Sequence, residues 1–96
     1  AAPVGPLRWR PPQPPAPWTE PRDATAFGPP CAQRTLPSGP PRGDEDCLTL
    51  NVWTPPGAHG APVMVWIHGG AYAVGDGAWL LDRGATELSR RGVVLV

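Results

Sequence analysis

The chain has 96 residues, 41% of them apolar, with 16 prolines and 12 glycines. That is the size of one small domain, rich in residues that interrupt regular structure. Eight acids balance eight basic residues, all of them arginine, for a formal net charge of zero; nothing in this balance suggests the basic surface that a nucleic-acid backbone requires. No apolar stretch reaches the ~18 residues of a membrane span. No charged segment followed by an apolar one marks a signal peptide.

Every proline except Pro62 lies at or before Pro56, so the chain divides into a Pro-rich part and a part able to build regular structure. Residues 1–30 read as extended coil, because proline removes backbone donors and disfavours helix in the residue before it. Trp9, Trp18 and Phe27 punctuate this stretch. Side chains that large predict an arm lying against a folded body rather than a free tail. Residues 34–44, with Pro37, Ser38, Gly39, Pro40, Pro41 and Gly43, read as a turn-rich loop. In Cys47–Trp53, Leu48, Leu50 and Val52 alternate with Thr49, Asn51 and Trp53, the period of a half-buried strand. Val63–Ile67 is a continuous apolar run and predicts a fully buried strand. His68, Gly69 and Gly70 break it and open a glycine-rich loop that ends at Gly77. Residues 82–91 predict a short helix with Leu81, Ala85 and Leu88 on one face and Gly92 as its C-terminal stop. Val93–Val96 predicts a second buried strand. Strand, loop, helix and strand make a βαβ unit, which implies parallel strands joined by a right-handed crossover. The chain starts at Ala1 rather than Met and stops inside an apolar run, so both ends are expected to be cuts through a longer chain.

The chemistry-bearing stretch is His68-Gly69-Gly70-Ala71-Tyr72, directly after a predicted strand. Sites in open α/β sheets gather beyond the carboxyl ends of strands. Glycines there allow tight turns and bring backbone N–H groups close to a ligand. Acyl transfer needs such donors, because negative charge develops on the carbonyl oxygen; one such donor contributes roughly 2.7–4 kcal/mol to the transition state. An HGGG-type loop is an oxyanion motif of lipases and esterases. Here Ala71 replaces the third glycine, which is tolerable if its φ is negative. The plainer reading is a strand-to-helix turn that uses glycine for geometry alone. A phosphate loop fits poorly: Gly70 and Gly75 have the spacing, but Asp76 and Gly77 stand where Lys and Ser/Thr are required.

Cys31 and Cys47 admit two readings, a clip across the Pro-rich loop or two unpaired buried thiols. A clip would imply an oxidising compartment, as in a secreted or exported protein. His59 and His68 lack companions at metal-ligand spacing, so no metal is expected. Arg8-x-x-Pro11-x-x-Pro14 matches a polyproline docking pattern, against which Trp9 and Trp18 argue for packing on the chain's own body. Ser38 and Ser89 are not in G-x-S-x-G, and Ser89 is placed on a polar helix face. His68 is assigned to ordering the loop by hydrogen bonding rather than to general-base work.

Taken together, the stretches Pro3–Pro12, Trp18, Ala24–Gly28 with Cys31, Glu45-Asp-Cys-Leu-Thr-Leu-Asn-Val-Trp53 and Pro62–Ala71 resemble the type-B carboxylesterase family, in the family's order and over most of the chain. The resemblance implies an α/β fold: the amino-terminal part of an α/β-hydrolase with a mixed, mostly parallel sheet, incomplete at both ends. Residues 1–96 would be a partial domain, with 1–44 an extended arm and loop and 45–96 the strands, oxyanion loop and crossover helix. Gly70 and Ala71 would supply oxyanion donors, supported by His68 and Gly69. Tyr72 would lie near the substrate's acyl group. Cys31 and Cys47 would form the family's first disulfide. Arg8 and Glu45 would form a buried ion pair tying the arm to the strand entrance. The nucleophile, the acid and the catalytic histidine would lie beyond residue 96, and Thr49 stands where the family usually has Tyr. The implied activity is hydrolysis of a small-molecule carboxylic ester with no cofactor. A non-catalytic adhesion relative and an inactive truncated product are the rivals.

Overall fold

The structure, a computed structural model, describes residues 1–35, 38–82 and 84–96. The chain divides into two units, Ala1–Thr49 and Leu50–Val96. The turn expected at Pro37, the helical placement of Arg83 and the face expected for the Leu81 side chain lie outside the described residues.

In the first unit proline dominates, and regular structure is confined to one 3₁₀ turn and two two-residue strands among the described residues. A single 3₁₀ turn, Gly5–Leu7, interrupts the amino-terminal stretch. Strands β1 (Gln33–Arg34) and β2 (Pro41–Arg42) pair antiparallel, Gln33 opposite Arg42. Part of the expected turn-rich segment is therefore paired strand. Beyond the strands, backbone bonds from Ala32 N–H to the Asp44 carbonyl (3.1 Å) and from Asp44 N–H to the Pro30 carbonyl (2.9 Å) form a separate, parallel bridge between Cys31 and Asp44. Just outside them Cys31 and Cys47 form a disulfide, S–S 2.03 Å. Of the two readings of these cysteines, the clip is the one the structure contains.

No described residue of this unit is buried. The expectation that Trp9, Trp18 and Phe27 lie against a folded body is corrected: all three are exposed, Trp9 to 90%. A unit without a buried apolar residue offers these rings no cavity to fill. Instead the Arg8 guanidinium stands 5.6 Å from the Trp9 ring centre and that of Arg22 stands 5.2 Å from Trp18, both within cation–π range. The Asp23 carboxylate accepts from the Thr25 hydroxyl (2.7 Å) and N–H (3.0 Å). These two bonds hold its pKa below the ordinary value.

Arg8 Nε and Glu45 Oε1 are 2.6 Å apart, but the side chains remain 56% and 42% exposed. The pair is half-exposed rather than buried, and water screens it accordingly. A pair as exposed as this contributes less than about 1 kcal/mol, so where the rest of the full-length protein leaves it this open, Arg8→Ala gives only a small shift of the urea midpoint. A loss of several kcal/mol would show that the pair is desolvated.

The second unit holds the core. Strand β3 (Val63–Met64) pairs parallel with β4 (Val94–Leu95), Val63 opposite Val94 and Met64 opposite Leu95. A further bond from Trp66 N–H to the Val96 carbonyl (2.7 Å) extends the ladder. On the other side of β4, Trp53 and Leu95 exchange N–H···O bonds of 2.9 Å in an antiparallel bridge. β4 therefore runs between β3 and Trp53, and Leu95 is fully buried.

Between β3 and β4 lie two short helices, α1 (Trp79–Asp82) and α2 (Ala85–Arg90). The helix expected over residues 82–91 is observed as α2, and α1 precedes it over residues that, apart from Asp82, the expectation left out. Neither is long enough to be stable alone, so each depends on its packed face. Leu80, Ala85 and Leu95 form the core, with Trp53 and Leu88 against it. Ser89, expected on a polar face, is buried. It lies four residues after Ala85 and so on the same side of α2. Gly92 ends α2 as expected: its φ is +89°, its N–H donates to the Ser89 carbonyl (2.9 Å), and Val93 N–H donates to that of Leu88 (3.4 Å). That is the Schellman pattern.

Two burial expectations are corrected. Val63–Ile67, predicted to be fully buried, is exposed along its length, Ile67 to 86%. Among the described residues β3 pairs on one edge only, and no layer covers its faces. In residues 47–53, Leu48, Leu50 and Val52 are exposed, while Cys47, Asn51 and Trp53 are partly covered. The period of two is present, but the sheltered face is the opposite one, because Trp53 is the residue that bonds to β4. Thr49 N–H turns back onto the Cys47 carbonyl (2.8 Å), and the strand expected over 47–53 is reduced to the single bridge at Trp53. No helix of the described residues is long and apolar enough to cross a membrane.

Candidate active site

The loop from His68 to Gly75 follows the extended segment that β3 begins. Its shape comes from bonds within itself. The Gly70 carbonyl accepts from the N–H of Ala73 (3.0 Å) and of Val74 (3.1 Å). To close a turn that tight, Gly70 adopts a φ of +123°, and Ala71 and Tyr72 follow at +52° and +58°. A Cβ at Gly70 would overlap the Val74 carbonyl oxygen. Only glycine fits that position.

Ala71 differs from expectation. Its φ is positive, where tolerance of the missing glycine was tied to a negative value. The left-handed region costs an L-residue roughly 1–2 kcal/mol. The double acceptor at Gly70 sets this conformation, which lies beyond any local preference of alanine. Tyr72 carries the same cost, and two hydrogen bonds to one carbonyl, each about 1 kcal/mol net, offset part of the total.

His68 turns back on the loop: its Nδ1–H donates to the Gly69 carbonyl at 2.7 Å. A carbonyl only accepts, so this bond selects the Nδ1-protonated tautomer. The assigned role of ordering the loop matches this geometry. Gly75 is the buried residue of the loop. At the far end Asp76 Oδ1 accepts from Ala78 N–H (3.0 Å), an Asx turn that leads into α1.

The chain thus brings His68, Gly69, Gly70, Ala71 and Tyr72 into one loop. Among the described residues, no protein acceptor takes the N–H of Gly70 or of Ala71. His68 and Ala71 are exposed, and the Tyr72 ring is fully so. Cys31, Cys47, Arg8 and Glu45 belong to the first unit and brace the hairpin there. Sequence reading considered Gly75 only for phosphate-loop spacing and passed over Asp76 as a cap. The dipeptide Asp76-Gly77 is a turn signal that could have marked the latter. The described residues contain no group of three or more His, Cys, Asp or Glu side chains able to hold a metal ion.

Known proteins bear directly on this loop. The chain is 45% identical over 101 residues to a fumonisin B1 esterase of Sphingopyxis macrogoltabida, matching all of this chain and 18% of that protein. It is 52% identical over 84 residues to a phenmedipham hydrolase of Pseudarthrobacter oxydans, covering 78% of this chain and 17% of the relative. To a para-nitrobenzyl esterase of Bacillus subtilis it is 43% identical over 100 residues, 98% of this chain and 20% of the other. The chain therefore spans about a fifth of the length of these relatives. The model of the carboxylesterase family matches residues 1–96. A match over the whole chain, with the strand, glycine loop and cysteine bridge in place, means that the chain belongs to the carboxylesterase family, which has the α/β-hydrolase fold.

Proposed function

We propose that the full-length protein hydrolyses small carboxylic esters, with Gly70 and Ala71 as oxyanion donors. The observation that carries this reading is the loop's self-closure. The Gly70 carbonyl is turned inward onto Ala73 and Val74, which leaves the adjacent Gly70 and Ala71 N–H groups for an outside acceptor. Such donors are fixed before the reaction and need no reorganisation as charge develops. The relatives, named as esterases and hydrolases, point to the same chemistry.

In this mechanism a serine outside residues 1–96 attacks the ester carbonyl, and a histidine outside them takes its proton. The carbonyl oxygen becomes an oxyanion held by Gly70 and Ala71. The C–O bond breaks, the alcohol leaves with the histidine's proton, and water cleaves the acyl-enzyme by the reverse sequence. Tyr72 borders the acyl group. Residues 1–96 form the amino-terminal part of the domain, 1–44 its arm and 45–96 its first strands and loop, with β3 and β4 members of a mixed, mostly parallel sheet. The exposed donors need covering by the rest of the protein, since hydrogen bonds of this kind gain strength when water is excluded.

Incubating the full-length protein with p-nitrophenyl acetate and butyrate should release nitrophenol with saturation kinetics. An organophosphate should stop it at one adduct per chain, on a serine outside residues 1–96. A folded protein that neither turns over nor takes the adduct would be a binding or adhesion relative.

A further inference from the structure

The loop contains a residue that the oxyanion reading does not use. Gly75 is buried at a φ of +111°, and a Cβ there would stand 2.6 Å from the Gly69 carbonyl oxygen and 2.7 Å from His68 Nδ1. Those two atoms are the partners of the 2.7 Å His68–Gly69 bond. Gly75 therefore packs directly against the contact that orients the Gly69–Gly70 peptide, and the Gly70 N–H belongs to that peptide. From this we infer that Gly75 is a positioning residue of the oxyanion loop. It gives the His68 ring and the Gly69 carbonyl room to meet, and so sets the direction of the Gly70 donor five residues earlier in the chain. The inference rests on the oxyanion reading above. It adds that the loop's aim is set from behind by a residue that touches no substrate.

Backbone atoms and a ring held by a hydrogen bond cannot yield cheaply to a methyl group. In Gly75→Ala either the His68–Gly69 bond breaks or the peptide rotates. A donor misplaced by about 1 Å costs on the order of 100-fold in rate. Ground-state binding, made largely elsewhere, is unaffected. Gly57 is the control: its φ is +67° and a Cβ there meets nothing within 4 Å, so Gly57→Ala brings backbone strain without a clash.

The full-length wild type, Gly75→Ala and Gly57→Ala would be compared on p-nitrophenyl butyrate and a trifluoromethyl ketone, whose hydrated adduct carries the oxyanion. For Gly75→Ala, kcat should fall about 100-fold, KM should stay within about twofold, and ketone affinity should fall in parallel with kcat. Gly57→Ala should match the wild type in all three. An unchanged kcat, or a raised KM with normal kcat, would overturn the inference. So would equal losses in both variants. The two readings separate on an activity-free measurement, the imidazole nitrogen signals of histidine-labelled protein, with His68→Asn identifying the His68 resonance. Should the wild type hydrolyse no ester, the oxyanion reading falls. Positioning then stands only if Gly75→Ala abolishes the hydrogen-bonded Nδ1–H signal of His68, and an undisturbed signal sinks it.

Discussion

Gly70→Ala should reduce kcat/KM of the full-length protein by at least about 100-fold, the largest effect expected of any single methyl group in this chain. The added carbon would overlap the Val74 carbonyl oxygen, and its residue would be held at a φ of +123°. Neither problem has a local remedy, because the Val74 oxygen is backbone. The turn must open, and with it go the two bonds that hold the Gly70 carbonyl inward. Both candidate donors then lose their aim. Initial rates on p-nitrophenyl acetate, normalised to folded protein by circular dichroism, check this; a loss under about threefold would show that the loop is not the oxyanion site. Ala71→Pro is the less informative variant. Proline holds φ near −65°, whereas Ala71 stands at +52°. That substitution therefore removes a donor and refolds the loop at once.

The second large effect belongs to the disulfide. The Cys31–Cys47 bridge has a sequence separation of 16. A ring of that size is worth about 3 kcal/mol in the chain-entropy model. Here the bridge does more than shorten an unfolded loop. Among the described residues the unit contains no buried apolar side chain, so the hairpin inside the ring leans on the bridge and on a few exposed hydrogen bonds. Replacing both cysteines with serine should lower the unfolding free energy of the full-length protein by about 3 kcal/mol, measured by urea titration without reductant. A change below about 1 kcal/mol would mean that the hairpin is held by other parts of the protein.

How much of this was legible in the sequence depends on which physical quantity each motif encodes. Apolar runs at Val63–Ile67 and Val93–Val96 announce strands, and a helical stretch between them forces parallel pairing. The structure contains that pairing. Gly92 after a periodic segment announces a helix stop, because the left-handed stop suits glycine, and the Schellman bonds are there. Burial was less legible. Alternation in Leu48, Leu50 and Val52 says which residues share a face and nothing about whether that face has a neighbour. The same holds for Ser89, whose polar character pointed outward while its spacing from Ala85 pointed inward; the spacing won. In the loop, His-Gly-Gly marks the stretch on which the proposed site rests. The conformation of Ala71 and the closeness of Gly75 to His68 were not legible, because both follow from where one carbonyl, that of Gly70, finds its donors. The half-exposed state of the Arg8–Glu45 pair was equally out of reach, since a family pattern carries identity and not solvent access.

The uncovered strand bears on how the chain behaves in solution. Val63-Met64-Val65-Trp66-Ile67 is uncharged, lacks proline and is rich in β-branched and aromatic side chains. Among the described residues it is exposed and paired on one edge, so until the rest of the full-length protein covers it, it is a template for intermolecular strand pairing and amyloid-like stacking. Pro62 before it and His68-Gly69 after it act as gatekeepers, limiting any such zipper to five residues. An aggregate nucleated there would draw in the extended lead to the glycine loop, so colloidal loss and loss of the loop's geometry would begin at the same five side chains.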